Sequence, residues 1–477
     1  MIPFFMLLLT TAVVVAQPKQ LTLDDVVQMA KAQSIAAKQA ATQKQTNYWQ
    51  YRTFLAGFKP QLSLDGYLPS FERSFTEVMQ PDGTISFQPI SNNNSVLNLA
   101  LSQNIALTGG SVFVQKQLQR FDDFQRNNRL YNGIPFAVGL KQPLFQFNQM
   151  KWDRKIEPLK FEESNQQFIE SLEQVTVDAT GLYFELLIAQ VNLQIAEKNL
   201  SNTDTLYKIA KHKLELGKIS QNDLLQLQLS VLTAKKDYAS ARQNAEIASL
   251  RLRSYMGYRS EQALELAVPT QIVELNIDVK KALQEAFSNR SDAIAFQRKV
   301  LEAQRDLDKA RKDNGLNATL NASFGLSNRG AHLSDVYIRP QDREYFEIQF
   351  VLPIMTWGRA QARTETAKAN QQLTTQLVEQ DKLTFEQAIY TQVTLLQMLQ
   401  QQVKLTAEAD GIGQQRYQIA QNRFILSDLS VTDLGIAMQE KDRARRDAIL
   451  ALRDYWTAFY TIRLLTLYDF ERNEKIK

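Results

Sequence analysis

Cysteine is absent from this sequence of 477 residues, and histidine occurs only twice. The lack of cysteine excludes disulfide bonds, zinc–thiolate sites, a thiol nucleophile and a lipid-modified amino-terminal cysteine. His212 and His332 are far apart in the sequence and share no ligand motif, so we predict no metal site and no cofactor. Acidic and basic residues nearly balance, at 51 and 55. Nucleic-acid binding needs a concentrated basic face and is therefore not predicted.

The residue sets that enzymes use are also missing. The sequence has no recognisable nucleophile–base set, no glycine-rich phosphate loop and no cluster of metal ligands. Asp122 and Asp123 form an acidic pair, which we interpret as part of a solvated loop. We therefore predict that the protein is not an enzyme.

Long apolar runs are scarce, and the clearest one covers residues 2–16. Val14 and Ala16 are small residues that suit a signal-peptidase site, so we expect residues 1–16 to be a signal peptide. A membrane anchor is the alternative, but the run is shorter than the roughly 20 residues that a spanning helix needs. No later run approaches that length, so any membrane-crossing part would have to consist of strands closed into a barrel.

Helical sequence dominates what is present. Stretches with few helix breakers predict helices over residues 23–56, 148–216, 221–256, 278–313, from 359 onward and 431–468. Within 221–256 the apolar positions advance by alternating steps of three and four residues, which is the heptad pattern of a left-handed coiled coil. The pattern predicts long helices that pack closely along alanine-rich seams.

Two blocks of strand pattern interrupt the helices. Period-two alternation is clearest over residues 95–107 and predicts strands there and at 61–67, 112–118, 136–141, 316–326 and 346–352. Residues 69–94 contain a Pro-Asp-Gly triplet and three consecutive asparagines, which predict a long loop.

The two halves of the chain repeat each other. Adding 210 to a residue number carries Pro143 to Pro353 and Asp223 to Asp433, and upstream an offset of 256 carries Leu64 to Leu320. The offsets differ by 46, so the first half holds about 46 extra residues within 65–142. We therefore expect residues 17–259 to form one repeat (helix, strands within 61–142, helical hairpin). Residues 260–277 form a connector, and residues 278–477 form the second repeat (helix, strands within 316–352, helical hairpin).

The chain resembles the TolC-type outer-membrane efflux protein family (outer membrane factors). The resemblance is carried by LTLDD at 21–25, QPLF at 142–145, LPIM at 352–355 followed by WGR at 357–359, and KLELGKISQNDL at 213–224, with 423–434 as its counterpart. It implies a mostly α protein with membrane β structure, in which a homotrimer joins a periplasmic barrel of coiled-coil helices to a shared transmembrane β-barrel. The simplest family pattern has four strands per chain, and the extra segment departs from it.

The resemblance also implies a function and partners. The trimer would be a passive exit channel in the outer membrane of a Gram-negative bacterium, in contact with outer-membrane lipid and with a long periplasmic extension. A periplasmic membrane-fusion adaptor and an inner-membrane pump of the RND, ABC or MFS type would dock at its far tip. A secreted coiled-coil scaffold without a pore is the alternative, but it does not explain the strand blocks.

Two acids at equivalent tips are the predicted pore residues. By the resemblance, Asp223 and Asp433 from three chains would line the tunnel entrance, where crowded like charges would raise their pKa values. The alternative, compatible with the first, is local: Ser220 and Ser430 cap the following helices, and the acids lie in the first turn.

Adaptor docking and membrane anchoring supply the remaining predicted sites. The docking residues implied by the resemblance are Lys213, Leu214, Gly217, Ser220, Arg423, Phe424 and Ser430, although Leu214 and Phe424 could instead be core. Gly217 also suits a helix end that needs positive φ. Aromatic residues beside the predicted strands suit a membrane-interface belt or local packing; they are Tyr48, Trp49, Phe54, Phe58 and Trp357.

Overall fold

The structure is a computed structural model that describes residues 20–258, 264–426 and 428–477. The predicted signal peptide at 1–16 lies outside the described residues, as do positions 259–263 at the boundary between the first repeat and the connector. Eight helices are described, and they are α1 Leu23–Gln33, α2 Ile35–Ala56, α3 Gln149–Glu215, α4 Gln221–Met256, α5 Val279–Asn289, α6 Ser291–Asp313, α7 Arg359–Ile425 and α8 Val431–Thr466.

The helices recur at the offsets seen in the sequence. Helices α3 and α7 both have 67 residues, α4 and α8 both have 36, and each pair starts 210 positions apart. The heptad-bearing stretch 221–256 is helix α4, as predicted. Among the described residues, no helix has both the length and the apolar character needed to cross a membrane.

Each of the two predicted helices that precede the strands is in fact a pair of helices. Residues 23–56 are divided at Ser34, which is extended with ψ 150°, and residues 278–313 are divided at Arg290, which is extended with ψ 148°. Arg290 lies 256 positions after Ser34, so the break belongs to the repeat. At Ser34 the side chain accepts a 3.1 Å hydrogen bond from the Ala37 backbone N–H, which caps the second helix and explains the break.

The chain divides into two compact units that cut across the predicted repeats. The described part of unit one covers residues 20–44, 165–258, 264–290, 384–426 and 428–477, and unit two covers 45–164 and 291–383. Unit one has a core in which α3 contributes Tyr183 and Phe184, both fully buried, with Val26 of α1 and Leu252 of α4 in the same cluster. A short parallel pair, β1 Gln20–Leu21 with β7 Glu265–Leu266, borders this core.

Unit two contains an antiparallel sheet. Its strands are β2 Gln61–Tyr67, β3 Phe71–Met79, β4 Ile85–Ile105, β5 Gly110–Asp123, β6 Asn128–Leu144, β8 Asn317–Gly330 and β9 Gln341–Val351. The order is β2-β4-β5-β6-β8-β9. Strand β3 lies on the same side of β4 as β2 and pairs with residues 85–93, the first part of β4. A short 3-10 helix, Leu333–Tyr337, lies between β8 and β9. In unit one, β10 Tyr468–Asp469 pairs with β11 Glu474–Lys475.

Two expectations for the extra segment were wrong. Residues 69–94 contain strand β3 and the start of β4 rather than a long loop, because the Pro-Asp-Gly triplet forms a tight turn in which Asp82 accepts a hydrogen bond from the Thr84 N–H. The predicted solvated acid Asp122 lies in β5 and is buried, where it accepts hydrogen bonds from Arg120, Arg129 and Asn93. Cross-strand pairing of side chains therefore stabilises a polar stretch that has little strand propensity of its own.

Candidate functional site

The sheet of unit two has two chemically different faces. Directly opposed residues share a face, so the register assigns every side chain to one side. Leu62 lies opposite Leu101, which lies opposite Val114. Val114 in turn lies opposite Val138, which lies opposite Phe324. This row crosses five neighbouring strands without a polar residue.

The same side of the sheet is apolar in neighbouring rows, and we call it the apolar face. It comprises Leu62, Leu64, Leu97, Leu99, Leu101, Val112, Val114, Leu118, Phe136, Val138, Leu140, Leu320, Phe324, Leu326, Phe346, Ile348 and Phe350. Lys116, Asp342 and Glu344 are charged residues on this side. The Lys116 Nζ lies 4.7 Å from the centroid of the Tyr337 ring.

The opposite side is the polar face. It comprises Gln61, Ser63, Asp65, Asn98, Ser102, Asn104, Gln115, Gln117, Asn321, Ser323, Glu347 and Gln349. Cross-strand hydrogen bonds link some of these side chains, as where Asn98 donates to Asp65 over 3.3 Å. Phe113 is an aromatic exception that lies over Gly139, where a larger residue would collide with the ring.

The side chains of the apolar face are open to their surroundings. Phe346 is 71% exposed and Phe324 is 60% exposed. Soluble monomeric proteins rarely leave a continuous apolar patch of this kind uncovered, so the face marks an interaction surface. Strands that alternate between an exposed apolar side and a polar side are typical of membrane barrels.

The second candidate site is the pair of turns that join α3 to α4 and α7 to α8 in unit one, which we call the helical tip. At the first turn Gly217 has φ +68°, and the Lys218 N–H donates to the Lys213 carbonyl over 2.8 Å. This bond closes a helix end that needs a left-handed residue, as predicted for Gly217. The second turn has the equivalent bond, from Asp428 N–H to the Arg423 carbonyl, over 2.9 Å.

The predicted capping at the helical tip is confirmed. The Ser220 Oγ accepts from the Asp223 N–H over 3.2 Å, and Asp223 accepts from the Ser220 N–H over 3.1 Å. At the second turn the Ser430 Oγ accepts from the Asp433 N–H over 3.1 Å and donates to its carboxylate over 2.7 Å. Asp433 is exposed and Asp223 is half-buried. Their pore role stays a prediction.

Hydrogen bonds from the Ser220 hydroxyl and backbone lower the pKa of Asp223 below its usual range. A lowered folded pKa contributes stability that is present above the unfolded pKa and is lost as pH falls through the folded pKa. We therefore expect Asp223→Asn to lower the melting temperature at neutral pH and to converge with wild type as pH falls below about 4. Thermal unfolding between pH 7 and pH 3 checks this. Ser220→Ala is the matched variant, because it removes the cap itself and should lower the free energy of unfolding by about 1 kcal/mol. A difference that widens on acidification would contradict it.

Lys213 connects the two turns of the tip. Its Nζ donates to the Phe424 carbonyl over 2.8 Å and lies 4.8 Å from the centroid of the Phe424 ring. Burial, and then the nearby charge of Lys218, lowers the pKa of Lys213. Phe424 is only 3% exposed and packs with Leu206 and Leu434, as the core interpretation expected. Their docking roles stay predictions.

The other predicted docking residues are more accessible. Arg423, Gly217, Ser220 and Ser430 are exposed and Leu214 is half-buried. Arg423 is engaged locally, since its Nε donates to the Asp428 carboxylate over 2.9 Å. Sequence reasoning missed this pair; Lys218 stands at the position equivalent to Asp428, so the internal repeat gave no signal for it.

The predicted interface aromatics all lie in unit two. Phe54 and Phe58 pack edge-to-face with centroids 5.0 Å apart, and Tyr48 contacts Trp49 in the same way at 5.3 Å. Trp49 is exposed, and Trp357 is almost wholly exposed with φ +51°. Local packing and a membrane-interface role are both compatible with these contacts. In the described parts of the chain, acidic and histidine side chains form no group able to hold a metal ion.

Comparison with known proteins gives a family match for part of the chain. Residues 104–258, from strand β4 through helix α4, match the sequence model of the outer membrane efflux protein family. The match covers less than half of the chain. No curated protein matches the sequence. The predicted resemblance to outer-membrane efflux proteins is confirmed.

Solved structures of outer-membrane channels are similar to this chain in fold. The Campylobacter jejuni CmeC channel is 16% identical with a TM-score of 0.66, over 94% of this chain and 88% of CmeC. The Neisseria gonorrhoeae MtrE channel in its open state is 15% identical with a TM-score of 0.65, over 93% and 88%. The Vibrio cholerae protein VceC is 13% identical with a TM-score of 0.63, over 95% and 97%. At these identities the likeness concerns the fold alone.

Proposed function

We propose that three copies of this chain form the outer-membrane exit duct of a tripartite efflux or type I secretion system. An inner-membrane pump and a periplasmic adaptor deliver the substrate, and the duct itself is passive. The observation that carries the proposal is the two-faced sheet. Its exposed apolar face suits the lipid of a Gram-negative outer membrane, and its polar face suits a water-filled lumen.

The edges of the sheet support closure between copies. Within the described chain, β2 pairs only with β4, and β9 pairs only with β8, so each keeps one unpaired side. Unpaired backbone groups cannot face lipid, and exposed edge strands pair readily with another chain. The β2 edge of one copy therefore pairs with the β9 edge of the next. The number three comes from the family resemblance.

The helical tip supplies the periplasmic entrance in this proposal. Three copies bring up to six carboxylates together from Asp223 and Asp433, which favours cations in the entrance. The exposed residues Gly217, Ser220, Arg423 and Ser430 are accessible to an adaptor, with Lys213 and Leu214 beside them. The partner pump, which is a different protein, sets the substrate.

Channel recordings in planar lipid bilayers test this function. We expect the purified protein to form cation-preferring channels, and Asp433→Asn to lower the preference for cations because it removes three charges from the entrance. Asp433→Glu keeps the charge and is the matched control. A protein that inserts no channels, or a preference for cations that is the same in all three proteins, would count against the proposed entrance.

The predicted alternative, a secreted coiled-coil scaffold without a pore, has less support. The long helices suit both functions. A scaffold gives no reason for an exposed apolar row that runs across five strands of one sheet.

A further inference from the structure

Strands β4 and β5 lie in the middle of the sheet rather than beside it. The β4–β5 ladder is unbroken from Asn92 opposite Asp123 to Ile105 opposite Gly110. On its other side, β4 pairs with β2 through residues 96–102, and β5 pairs on its other side with β6. We propose that each chain contributes six strands to the membrane wall, namely β2, β4, β5, β6, β8 and β9. Three copies would then close an eighteen-stranded barrel. This inference rests on the proposed function.

The internal repeat identifies β4 and β5 as an inserted hairpin. The offset of 256 relates β2 to β8, through Leu64 and Leu320, and the offset of 210 relates the end of β6 to the end of β9, through Pro143 and Pro353. Strands β4 and β5 have no counterpart in the second half, and with the turn between them they make up most of the extra residues of the first half. Without them the chain would have the four strands of the simplest family pattern.

The side chains of the inserted hairpin have the chemistry of the wall. Leu99 and Leu101 of β4 and Val114 of β5 continue the apolar face, with Leu64 of β2 opposite Leu99. A plug inside the lumen or a flap outside the membrane would not need an apolar side in register with the strands on both flanks. Residues 95–105 of β4 also match the 9 to 11 residues of a typical membrane strand.

The second side of the hairpin continues the polar face. Asn98 and Ser102 of β4 and Gln115 and Gln117 of β5 share this side, and Asn98 lies directly opposite Gln117. The hairpin therefore alternates between lipid-compatible and water-compatible residues in the same phase as β8. Both sides of the hairpin are explained if it is part of the wall.

Two extra strands per chain change the width of the duct. With strands about 4.8 Å apart and tilted by about 40°, eighteen strands give a backbone diameter of roughly 36 Å. Twelve strands, four from each chain, give roughly 24 Å by the same geometry. The cross-section at the outer membrane would thus be about twice as large. Natural barrels of 16 to 18 strands enclose an aqueous channel.

Thiol accessibility in a lipid nanodisc tests the proposal, and the absence of native cysteine makes every introduced thiol unique. The variants Leu99→Cys and Val114→Cys sample the apolar face of the inserted hairpin, and Asn98→Cys and Gln115→Cys sample its polar face. The probe is a negatively charged maleimide. We expect the apolar-face thiols to react about tenfold more slowly, because a thiol in hydrocarbon stays protonated and the charged reagent is excluded.

Strand β8 provides the internal control, because it belongs to the wall whether each chain supplies four strands or six. Phe324→Cys should be protected and Ser323→Cys should react. If β8 shows this contrast and both faces of β4 and β5 react equally, the hairpin lies outside the wall and the six-strand proposal is wrong. If β8 also lacks the contrast, the membrane channel itself is wrong. N-ethylmaleimide added after denaturation of the protein should label all six thiols, because every thiol then meets water, and this verifies that each variant has a reactive thiol.

Discussion

Phe324→Arg should remove most of the protein from the outer membrane, whereas Ser323→Arg, one residue away, should leave it assembled. Phe324 lies on the apolar face and Ser323 on the polar face of the same strand, β8. A charged side chain at the lipid-facing middle of a barrel costs about 2–4 kcal/mol, and substitutions that face the lumen cost far less. The measurement is the amount of assembled protein in the outer-membrane fraction of cells that express each variant.

Refolding separates stability from targeting in this experiment. Urea titration of the purified variants in lipid vesicles should show a lower midpoint for Phe324→Arg and a near-native midpoint for Ser323→Arg. Equal losses in the two variants would mean that β8 is buried on both sides or that neither side meets lipid. Either result would remove the main support for a membrane wall.

Glu173→Ala should be among the most destabilising single substitutions in unit one. The Glu173 carboxylate is 1% exposed and lies 2.5 Å from the Lys31 Nζ and 3.5 Å from the Arg463 Nε. Arg463 also pairs with Asp469 over 2.6 Å. Removing the acid leaves two partly buried cations without their shared partner, and breaking a buried ion pair in this way typically costs about 3–5 kcal/mol.

An exposed pair in the same unit is the matched control for Glu173. Glu274 pairs with Lys404 over 2.7 Å, but both side chains are more than half exposed. Glu274→Ala should therefore cost less than about 1 kcal/mol. Thermal unfolding followed by circular dichroism compares the two variants. Equal shifts in melting temperature would show that burial of Glu173 does not determine how much this residue contributes to the stability of the protein.

The sequence predicted the helices better than the sheet. Helix α4 was predictable at both ends because a serine cap, an alternating heptad pattern and a terminal glycine all agree over 221–257. The breaks at Ser34 and Arg290 were not predictable, because neither residue is a strong helix breaker. Their extended conformation depends on local capping and packing. The hairpin of β3 and β4 was missed because its stability comes from cross-strand pairing, which composition alone does not reveal.

Some features of the candidate sites were likewise predictable from the sequence, and others were not. The capping of Asp223 and Asp433 follows from a spacing of three residues and was predictable. The apolar face needed the register, since a single strand such as 95–107 reveals its own alternation but not which side its neighbours share. The contact of Lys213 with Phe424 joins residues 211 positions apart, and the offset of 210 relates such residues without predicting that they touch.

The native mass of the protein extracted from the outer membrane in mild detergent tests the proposed channel most directly. One chain has a mass of 54.6 kDa, so three copies have close to three times that mass, less any removed signal peptide, plus bound detergent. We predict a trimer that leaves the membrane only when detergent is added. A monomer or dimer that washes off in buffer without detergent would contradict the shared barrel, and with it the proposed duct.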